Sequence, residues 1–107
     1  MDILRAPDLA RWLADPSRPA PQVLDVREGW EVATASLPGA LTIPMGEIPG
    51  RLDEIDPQRP VVCMCHHGMR SLRVAHFLES RGYSQVMNLE GGIDAWARLV
   101  DPSLPTY

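Results

Sequence analysis

Val61-Val62-Cys63-Met64-Cys65-His66-His67-Gly68-Met69-Arg70-Ser71 is the stretch on which the reading of this chain turns. An apolar run delivers a cysteine into a short loop that a glycine bends, an arginine closes and a helical pattern follows. Val61 to Cys65 reads as a strand buried on both faces, the pattern of a central strand in a parallel sheet. From Ser71 to Arg81 the apolar positions Val74, Ala75, Phe77 and Leu78 fall on one side of a helix, with Gly82 placed to end it. A thiol becomes nucleophilic when its thiolate is stabilised. A helix N-terminus, converging loop amides and a guanidinium lower a cysteine pKa from about 8.5 into the ~3.5 to 7.5 range. Cys65 has the setting for all three.

Working outward, short apolar strands alternate with helical patterns almost end to end, the signature of an α/β fold with a mostly parallel sheet and helices on both faces. Pro7 and Asp8 favour a helix start, and Leu9, Trp12 and Leu13 repeat at helical spacing until Asp15-Pro16 stops them. Gln22 to Val26 reads as a strand ending in the charged group Asp25, Arg27 and Glu28. Leu41 to Pro44 is a second short strand. Glu47 to Ile55 puts Ile48, Leu52 and Ile55 on one helical face, shortened or broken by Pro49-Gly50. Gln85 to Leu89 reads as a further strand, Gly91-Gly92 as a turn and Ile93 to Leu99 as a closing helix with Trp96 inward. The tail holding Pro102 and Pro105 reads as irregular.

A chain of 107 residues accommodates one core, so residues 1–107 are expected to form a single domain. Ten basic against fourteen acidic residues give a formal charge of −4, which argues against a nucleic-acid partner and supplies no basic stripe for a membrane surface. No apolar run approaches the roughly 18 residues of a membrane span, and Met1 to Arg5 lacks the layout of a secretory signal. Cytoplasm is the expected compartment, and two cysteines separated by one residue fit a reduced environment better than a structural disulfide.

In open α/β sheets ligands bind beyond the carboxyl ends of the strands, and the loop from Cys65 to Arg70 is expected there. Gly68 gives the backbone freedom for amides to converge on one point, and Arg70 adds a planar fork for sulfonate or phosphate oxygens. His66, His67, Met69 and Ser71 complete the loop. Either histidine could carry positive charge toward an anionic donor, or both could be plain exposed residues; Met69 shapes the entrance or covers the core. Asp25 and Arg27 are open to two readings, supporting polar groups of the site or a surface ion pair. Cys63 reads as core filler, with a resolving thiol or persulfide relay as the competing role. Cys63, Cys65, His66 and His67 are soft-metal ligand types, yet no second pair follows and adjacent histidines do not easily face one ion, so no metal is expected. His76 reads as structural, and Trp12, Trp30 and Trp96 as packing area.

These residues carry a resemblance. Leu24-Asp25-Val26-Arg27, Leu37-Pro38-Gly39-Ala40, Ile43-Pro44, the Cys65 to Ser71 loop, and Asn88-Leu89-Glu90-Gly91-Gly92-Ile93 with Trp96 together resemble a single-domain rhodanese, a sulfurtransferase, over most of the chain. The resemblance implies the rhodanese fold, and a Cys65 that accepts a sulfane sulfur as a persulfide and passes it to a thiophilic acceptor. It implies loop amides holding the outer sulfur, Arg70 closing the loop, Asp25 and Arg27 in support, and no cofactor. Thiosulfate is the natural test donor; cyanide, a small thiol or a sulfur-acceptor protein would be the acceptor. The chain departs from the family's pattern at Ser36, where a histidine usually precedes the turn. Cysteine phosphatases and arsenate reductases of the related fold place five residues between cysteine and arginine; here four lie between Cys65 and Arg70, a ring that suits a sulfur atom better than a tetrahedral oxyanion. A persulfide carrier with little free turnover is the alternative from a different class.

Overall fold

The computed structural model describes residues 1–107. Five parallel strands form one sheet in the order β1-β5-β4-β2-β3. They are β1 (Asp2–Leu4), β2 (Gln22–Asp25), β3 (Leu41–Thr42), β4 (Val61–Met64) and β5 (Val86–Leu89). Four α-helices accompany them: α1 (Ala6–Ala14), α2 (Gly29–Thr34) and α3 (Met69–Ser80) connect strands, and α4 (Gly92–Leu99) follows β5.

β4 lies at the centre, and each of its four residues is buried. Its side chains alternate between two apolar layers, as a pleated strand requires. Val61 and Cys63, with Cys65 beyond the strand, join Ile48, Ile55, Val74 and Leu78 on one face. Val62 and Met64 join Leu9, Trp12, Ile93 and Trp96 on the other. Helices therefore cover both faces, which is why the strand is apolar throughout rather than in alternation.

The chain leaves β2 through α2 toward the β3 edge and leaves β4 through α3 toward β5. Connections departing in opposite directions open a crevice between the carboxyl ends of β2 and β4, the place where doubly wound sheets hold their ligands.

Several elements differ from the sequence reading. α3 begins two residues earlier than Ser71 because Gly68, at φ +101°, turns the chain directly into the helix. The Glu47 to Ile55 region is two 3-10 turns, Met45–Gly50 and Leu52–Glu54, since Pro49 interrupts the α-helical ladder. β1 and α2 lie where no element was expected. Leu13 is exposed, as is Trp30, 66% accessible and hence no core packing residue. Phe77 is only half-buried. His76 is exposed on α3, 3.7 Å from Glu79, rather than structural.

Candidate active site

The loop after β4 is fastened by three hydrogen bonds, two from α4 and one from β5. Ile93 and Asp94, in the first turn of α4, donate their amides to the carbonyls of Cys65 and His66 at 2.9 and 3.2 Å. Asn88 at the end of β5 donates its side-chain amide to the Gly68 carbonyl at 3.0 Å. Gly92 makes the first contact feasible: a Cβ there would stand 2.3 Å from the Cys65 carbonyl oxygen and 2.5 Å from that of His66, and φ is +59°. Only glycine allows the helix start to approach this closely.

Within the fastened loop, the Gly68 amide donates to Cys65 Sγ at 3.0 Å. The Ser71 hydroxyl, one turn into α3, lies 3.3 Å from the same sulfur and 2.6 Å from Asn88 Oδ1. It has a single proton, and the shorter contact takes it, leaving an oxygen lone pair toward the Cys65 thiol. Once the thiol loses its proton, the hydroxyl can turn and donate to sulfur instead. The sulfur thus has one fixed donor and one adaptable one.

Arg70 closes the loop on the far side through a fork. Its Nη1 and Nη2 donate to Glu31 Oε1 and Oε2, both at 2.7 Å. The Arg70 guanidinium first, then hydrogen bonds from the Tyr107 hydroxyl and the Glu28 amide, hold the Glu31 carboxyl well below its usual 4.5, at about 2, against the cost of burial. The same pairing pushes the Arg70 pKa further up. Glu31 also accepts from the Glu28 amide at 3.0 Å, closing a capping box around the start of α2.

Asp25 and Arg27, read from sequence as site support or a surface pair, are fully buried at the end of β2, so the surface reading is corrected. A buried guanidinium is tolerated because each of its five N–H groups has an acceptor. Arg27 Nε spans Asp25 Oδ1 and Oδ2 at 3.0 and 3.2 Å. Nη2 reaches Asp25 Oδ2 and the Ala35 carbonyl, both at 2.7 Å, and Nη1 reaches the Glu31 carbonyl at 3.2 Å and the Tyr107 hydroxyl at 3.1 Å. Burial works against the Arg27 charge, but these partners outweigh it and its pKa rises.

The two histidines divide. His67 is exposed, with Nε2 3.9 Å from Asp94. His66 is half-buried and stacked between the Tyr107 ring at 3.8 Å and the His67 ring at 3.8 Å. Burial first, and the neighbouring His67 second, lower the His66 pKa, which disfavours a cation at this position. Its Nε2 is buried without a partner. Donor atoms of His66, His67 and Asp94 lie within 4.8 Å of one another. The stacked rings, inclined by only 29°, aim their lone pairs in nearly parallel planes, and Asp94 already accepts from Arg98 at 3.0 Å. That geometry is an aromatic stack, not a chelate. Met69 stands at the entrance, 70% accessible. Ser36 is exposed.

Size does not locate this chemistry. The largest cavity, about 550 Å³, lies at the opposite, amino-terminal edge of the sheet between Trp12, Arg18, Arg59 and Gln85, and no cysteine or histidine lines it.

Glu31 and Tyr107 are the site residues that sequence reasoning missed. The spacing of Glu28 and Glu31 was a signal for α2, but a helix of six residues shows no periodicity. Nothing local marks Tyr107, which returns to the site from the end of an irregular tail.

A buried cysteine accepting a loop amide at the switch point of a parallel sheet, closed by a paired arginine, defines a small α/β protein with a cysteine-centred anion loop. The sequence profile of the rhodanese-like domain matches residues 7–99, and the chain belongs to that family. It is 45% identical over 76 residues to a sulfurtransferase of Allochromatium vinosum, covering 71% of each chain. It is 40% identical over 90 residues to the rhodanese-like/PpiC domain-containing protein 12, chloroplastic, of Arabidopsis thaliana, covering 80% of this chain and spanning only 30% of that protein's length. The crystal structure of a rhodanese-like domain protein from Staphylococcus aureus superposes with a TM-score of 0.84 at 31% identity, covering 100% of this chain and 99% of that one. No helix is long and apolar enough to cross a membrane.

Proposed function

We propose that this chain is a sulfurtransferase that carries a sulfane sulfur on Cys65, with thiosulfate as a competent donor. The observation that carries this reading is the 3.0 Å contact from the Gly68 amide to Cys65 Sγ, inside a loop with only four residues between Cys65 and Arg70. Membership of the rhodanese-like family and the likeness to a sulfurtransferase support it.

The Cys65 thiolate attacks the outer sulfur of thiosulfate. A new S–S bond forms, the old one breaks, and sulfite departs with the bonding pair, leaving a Cys65 persulfide. Cyanide or a thiolate then attacks the outer sulfur, and the electron pair of the cleaved bond returns to Cys65. The cycle balances with no external oxidant, reductant or cofactor. Loop donors stabilise the charge on the loaded sulfur, Arg70 favours the anionic donor, and Asp25 and Arg27 support the site through the Glu31 carbonyl and the Tyr107 hydroxyl. His67 and Met69 shape the entrance, His66 stacks beneath Tyr107, and buried Ser71 stands against the Cys65 sulfur.

The test is thiocyanate formation from thiosulfate and cyanide over many turnovers. The expected result is ping-pong kinetics. Stoichiometric loading without turnover, even with small or protein thiols, would replace the enzyme with a persulfide carrier, and absence of loading would remove both.

A further inference from the structure

We propose that Tyr107 is a positioning residue for the loop arginine, linking the buried Asp25–Arg27 pair to the Glu31–Arg70 pair at the entrance; its role toward substrate rests on the sulfurtransferase reading. The Tyr107 hydroxyl donates to Glu31 Oε2 at 2.7 Å and accepts from Arg27 Nη1 at 3.1 Å. Its one proton and one lone pair are thereby committed in opposite directions, toward the carboxylate and away from the guanidinium.

The direction of support follows from burial. Arg27 and Asp25 are fully enclosed, whereas the Arg70 side chain is one-third accessible. A flexible arginine at that exposure is ordered only by what holds its partner. Glu31 Oε1 is anchored by the Glu28 amide, while Oε2 has Tyr107 as its only contact besides Arg70. Without the hydroxyl, the carboxylate pivots on Oε1 and Arg70 follows it. Each Arg70 Nη gives one of its two N–H groups to Glu31, and Nε makes no hydrogen bond within the chain, leaving the Nε edge of the fork, with its Nε–H and an outer Nη N–H, for the oxygens of an anionic donor. Where Glu31 stands thus fixes where that edge points. The Tyr107 ring is held in turn, stacked on His66 at 3.8 Å and met edge-on by Trp30 at 5.7 Å. The tail is therefore seated on the site by its aromatic ring, and the hydroxyl acts from a fixed place.

Tyr107→Phe keeps the ring and deletes the hydroxyl, and two measurements separate positioning from packing. The first needs no catalysis: ¹⁵N-arginine NMR of the wild type should show restricted guanidinium rotation for both Arg27 and Arg70. In the variant Arg70 should average while Arg27, still held by Asp25 and Ala35, stays restricted. The second compares donors: KM for dianionic thiosulfate should rise about five- to tenfold, with kcat and loading from a neutral organic trisulfide within about twofold. Unchanged Arg70 rotation would overturn the proposal, as would an equal loss with both donors and a lowered melting temperature, the mark of packing alone. Should the wild type take sulfur from neither donor, the sulfurtransferase reading falls, while the NMR result still decides whether Tyr107 holds Arg70. Tyr107→Leu, which removes ring and hydroxyl together, should reproduce the Arg70 averaging if the first variant is poorly behaved; restricted Arg70 rotation there would also overturn it.

Discussion

The interior of β4 and the loop that leaves it each carry a cysteine, two residues apart and facing the same apolar layer. Accessibility does not separate them, since Cys63 is 0% and Cys65 1% exposed. Their neighbours do. Cys63 has no hydrogen-bonding group beside its sulfur, and burial, then the proximity of Cys65, push its thiol up to about 12. Cys65 stands one residue past the last strand residue, where the backbone stops pairing with strands and turns its amides inward; its sulfur meets the Gly68 amide and the Ser71 hydroxyl. The end of the sheet ladder, rather than solvent contact, is what gives one of two buried thiols hydrogen-bonding neighbours, the setting the proposed nucleophile needs.

Substituting the two thiols breaks the comparison most sharply. Cys65→Ser should lower thiocyanate formation by roughly 10³-fold or more, because serine supplies no comparable nucleophile without a base. Next in size is the scaffold of the loop. Gly92→Ala forces a Cβ against the Cys65 and His66 carbonyls at a positive φ. It should cost roughly 2 to 4 kcal/mol in denaturant unfolding and more than about tenfold in turnover, with the Cys63 environment untouched.

The entrance pair sharpens the contrast through pH. The folded Glu31 value of about 2 lies below the ordinary 4.5. Its contribution to stability is therefore whole above 4.5 and is lost as pH falls toward 2. The stability gap between wild type and Glu31→Gln should shrink by roughly 3 kcal/mol across that window in chemical unfolding series. A constant gap would mean that Glu31 is not held ionised by Arg70. The smallest effect belongs to the strand interior. Cys63→Ser should keep sulfur loading within about twofold and lose about 1 to 2 kcal/mol of stability for an unpartnered buried hydroxyl. Lost loading in a folded Cys63 variant would restore its reading as a resolving thiol.

What the sequence made legible follows the same division. β4, α3 and α4 carry long apolar patterns, and their places were readable along with the loop between them. Gly68 and Arg70 were readable by type because a bend and a fixed cation leave distinct residues. β1 was hidden because three partly exposed residues at a sheet edge make no alternation. Arg27 was ambiguous because charge alone does not reveal that all five N–H groups find acceptors inside the fold. Glu31 and Tyr107 reach the site from 39 and 76 or more positions along the chain from the partners they bond, Arg70 and Glu31. Such long-range contacts leave no local trace.

The central claim is that Cys65 alone carries the transferred sulfur. Intact-protein mass spectrometry before and after thiosulfate, with and without reductant, tests it directly on the wild type, Cys65→Ser and Cys63→Ser. The account predicts a reductant-reversible gain of one sulfur atom in the wild type and in Cys63→Ser, and none in Cys65→Ser. A gain that survives in Cys65→Ser, or folded reduced wild type that takes no sulfur from any sulfane donor, would contradict it.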